Sequence, residues 1–173
     1  LAACQAKNGN GYLSGIPGGK AMWEEIRAGK IDAGNFGLNG KWVPLYNIHK
    51  IFAGLLDAFN AAGSHKALEM LVKLTDWLAA LTKNLSDEQV QTMLISEHGG
   101  LNEVFAELFA ITHNKEYLQL AERFSDLSIL RPLLSGTDQL TGLHANTQIP
   151  KVIGYDRIGQ LANKPDWSSA AAF

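Results

Sequence analysis

The sequence is poor in the residues that announce the commonest kinds of site. It has one cysteine, Cys4. That excludes an internal disulfide and any Cys-rich zinc centre built from this chain alone. Lys and Arg number 15 against 17 Asp and Glu, for a net charge of −2. Without a basic excess, a nucleic-acid partner held through phosphate contacts is not expected. No stretch approaches the roughly 18 consecutive apolar residues of a membrane-spanning helix, so no membrane partner is expected either. There is no H-E-x-x-H and no G-x-S-x-G. A phosphate loop ending at Gly19-Lys20 needs glycine at 14 and Ser or Thr at 21, where Ser14 and Ala21 stand. Gly9 and Gly11 are followed by Gly15, one residue late for a dinucleotide fingerprint, and no strand precedes them. The chain opens Leu-Ala-Ala-Cys-Gln, with neither an initiator Met nor a signal-peptide pattern. It reads as starting in mid-helix, as a piece of a longer domain would, and its localisation is left open.

What is present is a globular composition. Hydrophobic residues make up 46% of the 173, too many for intrinsic disorder at so small a net charge. A chain of this length buries roughly two thirds of its unfolded surface. Residues 1–43 are rich in loops. A helical stub at 1–7 stops at Asn8-Gly9-Asn10-Gly11, a short helix is predicted over 21–28, and 29–41 read as a second irregular segment. From Pro44 the pattern becomes helical. Leu45, Ile48, Phe52, Leu55, Leu56 and Phe59 recur at helical spacing. The spacing predicts helices over 44–62 and 65–83, then a capping box at Ser86-Asp-Glu-Gln89. A further pair is predicted over 101–113 and 115–130, with Asn114 as N-cap. Residues 131–143 read as a loop. Residues 145–161 read as a helix weakened by Pro150, Gly154 and Gly159. The tail at 163–173 reads as irregular, and nothing reads as a strand. The expectation is an all-α fold of helical hairpins over 44–162, forming part of a single toroid-like domain.

Three polar clusters interrupt the helical pattern. They are Tyr46-Asn47-Ile48-His49-Lys50, Glu97-His98-Gly99-Gly100-Leu101-Asn102-Glu103, and Leu143-His144-Ala145-Asn146-Thr147-Gln148. Each places a histidine at or near the start of a helix. Neutral imidazoles and amides suit sugar hydroxyls, because they offer directed donors and acceptors without a charge to desolvate. A single histidine beside an apolar face is more often a packing or capping residue; three in equivalent places favour function. His65 and His113 fall in turns and read as surface residues. Glu97, Glu103 and Asp138 are the best-placed acid/base candidates, although Glu103 equally suits a helix first turn. Trp23 and Trp42 lie in or beside loops, where either packing or stacking would account for them.

At these clusters the sequence resembles a known family. The blocks WVPLYNIHKIFAGLLDAF (42–59), EHGGLNEVFAELFAIT (97–112) and GTDQLTGLHANTQIPKVIG (136–154), with QAKNGNGYLSGIP (5–17), resemble bacterial glycoside hydrolases related to β-L-arabinofuranosidases. The resemblance implies an (α/α)6 toroid and retaining hydrolysis of arabinofuranosides, in enzymes that are sometimes exported. It places His49, His98 and His144 among the residues lining the sugar pocket, with Gln148 and Asn102 as neighbours. It also implies a cysteine nucleophile, a glutamate and a zinc ion held by cysteines and a glutamate, all in a later part of the toroid. Cys4 does not match that cysteine, so this chain is expected to bind a small carbohydrate, to hold no zinc itself and to be inactive alone. Helix faces meant for absent helices would then promote self-association. The competing expectations are a non-catalytic helical-hairpin binding or scaffold module, and another sugar-active toroid enzyme such as a lyase or epimerase.

Overall fold

The structure, a computed structural model, describes residues 1–173. Helix covers 66% of the chain in ten segments, so the all-α helical-hairpin reading holds. The chain forms two compact units, Leu1–His98 and Gly99–Phe173.

In the first unit, α1 (Ala2–Asn8) ends on Gly9, whose φ of 78° is the left-handed cap the Asn-Gly run promised. The loop that follows is not a free excursion. Tyr12 and Leu13 are buried, and the Tyr12 ring lies 4.7 Å from that of Trp77. Buried Gln5 pins the loop by donating from Nε2 to the carbonyls of Gly11 and Met70. Gly11 must be glycine, since a Cβ would overlap the Lys73 carbonyl. Next come α2 (Gly19–Arg27), α3 (Pro44–Ala62), α4 (His65–Thr82) and α5 (Asp87–Met93). Helix α3 buries Leu45, Ile48, Phe52, Leu55 and Leu56 on one stripe. It stops at left-handed Gly63, and Ser64 restarts the chain by accepting the amide of Ala67. That two-residue turn makes α3 and α4 an αα-hairpin. The capping box of Ser86 and Gln89 is present in both directions.

Residues 29–41 are not irregular, contrary to the sequence reading. They hold a three-stranded antiparallel sheet in the order β1 (Ala33–Gly34), β2 (Gly37–Leu38) and β3 (Lys41–Trp42). Asn39 and Gly40 both have positive φ, as a type I′ hairpin turn requires. The Asn39 side chain fixes that turn by donating to the Lys30 carbonyl and accepting from the Asp32 amide.

The second unit contains α6 (Leu101–Thr112), α7 (Lys115–Arg123), α8 (Leu127–Leu134), α9 (Ala145–Ala162) and α10 (Pro165–Ala172). His113 is left-handed at φ 58° and Asn114 caps α7, so that hairpin forms where its turn was placed. Three boundaries differ from expectation. The partner helix does not run to 130: it stops at Arg123, and Asp126 caps a new helix by accepting from the Ser128 amide. Residues 131–134 therefore belong to α8, which continues through Pro132 at the loss of one backbone bond. The tail is helical, starting at Pro165 and packed by Trp167 and Ala170 into a cluster with Ile129, Leu130 and Tyr155. Gly154 and Gly159 are close-approach points, not weak spots. A Cβ at 154 would overlap the Asn102 amide of α6, and one at 159 would press on Ser168 of α10.

Candidate functional site

Helix α3 carries His49 into the first unit's interior, where it is 7% exposed. Burial, reinforced by the adjacent Lys50 charge, lowers its pKa to about 4. The ring is therefore neutral at pH 7 and presents one donor and one acceptor. Tyr46 lies one turn earlier with its ring 6.1 Å away, and the Lys50 ammonium sits 4.5 Å above that tyrosine ring. His98 closes the first unit and is 1% exposed. Its Nδ1 lies 3.1 Å from the Ser96 carbonyl. A carbonyl can only accept, so Nδ1 carries a proton.

The other two candidates lie in the second unit, one helical turn apart. His144 occupies the N-cap position of α9 and is exposed; its carbonyl, not its ring, accepts from Thr147. Gln148 is half-buried. It donates from Nε2 to Thr147 Oγ1 at 2.8 Å, and its Oε1 is buried without a partner. Asn102 is a structural joint: its amide donates to the Lys151 carbonyl at 3.0 Å beneath Gly154. Beside it, Lys151 Nζ meets Asp126 Oδ2 at 2.8 Å, and Tyr155 donates its hydroxyl to the Asp126 carbonyl. Burial pushes the Tyr155 hydroxyl well above the usual tyrosine range, with the Asp126 charge adding to the effect. It acts as a fixed donor that orders the start of α8.

The acid/base candidates separate on geometry. Asp138 is exposed and spends Oδ1 on the Leu140 amide, which makes it a turn former. Glu103 folds back over Gly100 in the first turn of α6. Glu97 is half-buried, and its amide donates to the Asn35 carbonyl at 2.9 Å. The tryptophans separate as well. Trp23 is 1% exposed and packs edge-on to Trp77, whereas Trp42 is 72% exposed.

Sequence reasoning missed Phe36, which stands at the tip of the β1–β2 turn with its ring 5.5 Å from Trp42. It also missed Val43, a β-branched N-cap held at φ 38°. Such a conformation costs on the order of 1–3 kcal/mol. The Asn39-Gly40 pair was the readable signal for this hairpin.

The resemblance implies a zinc centre, and these residues do not make one. Cys4 is exposed, and no three His, Cys, Asp or Glu side chains converge on a common point.

Short helical hairpins carrying buried imidazoles can present directed donors and acceptors to uncharged polar ligands, and comparison with known proteins specifies the class. The chain is of the arabinofuranosidase type of glycoside hydrolase. Over residues 1–173 it matches the family described as Beta-L-arabinofuranosidase, GH127 catalytic domain, and it belongs to that family. No curated protein matches it.

Proposed function

We propose that the chain supplies sugar-contacting groups to an arabinofuranoside hydrolase and does not complete the reaction by itself. The carrying observation is His49, a buried imidazole held neutral in a helix whose sequence matches the family. A neutral ring offers a directed polar contact to a hydroxyl, and its desolvation cost is met when the helix forms, before the sugar arrives. His98, 1% exposed, is the first unit's second candidate contact. Within the second unit, His144 and Gln148 are the candidates, and the buried Gln148 Oε1 would accept a hydrogen bond from a hydroxyl. The nucleophile and zinc ligands that the resemblance implies are assigned to a later part of the toroid. No step here runs through a metal.

The test has two arms. The 173-residue chain should not hydrolyse an aryl arabinofuranoside, and measurable turnover would overturn the claim that it is incomplete. A methyl arabinofuranoside should raise its melting temperature by mass action. His49→Gln should abolish that rise; a rise unchanged in the variant would remove His49 from the binding role.

A further inference from the structure

The Phe36–Trp42 pair is the part of the first unit that the proposed pocket leaves unused. Its rings are 5.5 Å apart and inclined by 30°, and they are 42% and 72% exposed. Large aromatics on a domain surface are ordinarily scattered singly. Here two are paired and braced. The Val43 amide donates to the Phe36 carbonyl at 2.7 Å, which ties the chain after Trp42 back to Phe36. Asn47 donates its side-chain amide to the Val43 carbonyl at 3.1 Å, and Val43 is the left-handed residue that turns the chain into α3.

The same hairpin is joined to both segments that carry the first unit's imidazoles. Its Asn35 carbonyl accepts the amide of Glu97, the neighbour of His98. Its far end runs directly into α3, where His49 follows Val43 by six positions, a rise of roughly 9 Å at 1.5 Å per residue. That is about the overall length of a disaccharide.

We infer that Phe36 and Trp42 form a stacking platform for a second sugar ring, the one bonded to the arabinofuranosyl group. This rests on the proposed function. A sugar ring has an apolar C–H face that covers aromatic carbon and an edge of hydroxyls. Asn35 and Asn47, both exposed, flank the pair with uncharged amides suited to that edge. A protein partner fits less well. The two rings together expose roughly 260 Å² at most, well short of the ~800 Å² per partner of a standard interface.

The experiment titrates the 173-residue chain with an arabinofuranosyl disaccharide and, separately, with a methyl arabinofuranoside. The Trp42 indole N–H and the His49 ring are followed by NMR. The disaccharide should shift both; the methyl glycoside should shift His49 alone. Covering one indole face, roughly 60 Å², corresponds to about tenfold in dissociation constant. Trp42→Ala should therefore weaken the disaccharide about tenfold and leave the methyl glycoside unchanged, while Trp42→Phe should retain most of the affinity. A side chain this exposed can be removed without unfolding the unit, and a melt checks that. A Trp42 resonance that ignores the disaccharide while His49 responds overturns the platform and leaves the pocket standing. The reverse overturns the pocket assignment, and silence at both overturns both. A Trp42 shift that follows protein concentration instead of sugar marks a protein contact and also overturns the platform.

Discussion

Lys151→Met tests whether the second unit is held by its buried polar centre. Lys151 Nζ and Asp126 Oδ2 are 2.8 Å apart, with side chains 7% and 11% exposed. Removing one member of a buried pair leaves the other charged and undercompensated, at a cost of ~3–5 kcal/mol. Asp126 keeps two donors in the variant, the Ser128 amide and hydroxyl on Oδ1. Methionine also refills most of the lysine stem. The lower end, about 3 kcal/mol, is therefore expected. For a chain of this size that lowers the melting temperature by roughly 6–12 °C. Urea unfolding should show the same loss at an unchanged slope. Asp126→Asn combined with Lys151→Met removes the stranded charge and keeps the helix cap, so it should recover much of the loss. A single variant within about 1 kcal/mol of the parent, or a double variant worse than the single, would refute the reasoning.

Three further outcomes follow from the same structure. The folded pKa of His49, about 4, lies below its ordinary 6.5, so the unfolded chain binds more protons between those values. Stability should be complete above pH 6.5, fall on acidification toward pH 4 by up to about 3 kcal/mol, and lose that part of its slope in His49→Gln, as read from melts across the window. Gly154→Ala should destabilise by about 1–3 kcal/mol through the clash with Asn102, although helix propensity alone would favour alanine by about 1 kcal/mol. The sign of the shift in melting temperature decides between the two effects. Ile149 and Ile153, 58% and 50% exposed one turn apart on α9, should drive self-association, with light scattering showing mass above 18.8 kDa that Ile149→Lys/Ile153→Lys reduces; a monodisperse monomer across a concentration series would contradict this.

The helical hairpins were legible because their stops are local chemistry. Gly63 and Ser64, and His113 and Asn114, end one helix and start the next using only their own backbone and side chains. The capping box at Ser86 was legible for the same reason. What was missed depends on contacts distant in sequence. Helix α10 has a start signal in Pro165-Asp166, but its WSSAAA segment has little amphipathic character. Trp167 packing edge-on to Tyr155 at 6.2 Å helps hold it. Gly154 reads as a weak point until Asn102, distant in sequence, is seen to fill the space above it. The candidate site divides in the same way. The burial of His49 followed from its place on the α3 stripe, whereas the pairing of Phe36 with Trp42 needed a sheet whose strands are two residues each.

The central claim is that the first unit's buried imidazoles contact an arabinofuranoside. The most direct measurement follows the ring resonances of His49 and His98 during titration with a methyl arabinofuranoside at pH 7. The account requires both rings to shift with one shared dissociation constant, while exposed His65 and His113 stay still. Rings at His49 and His98 that remain unmoved, or that move no more than His65 and His113, would contradict it.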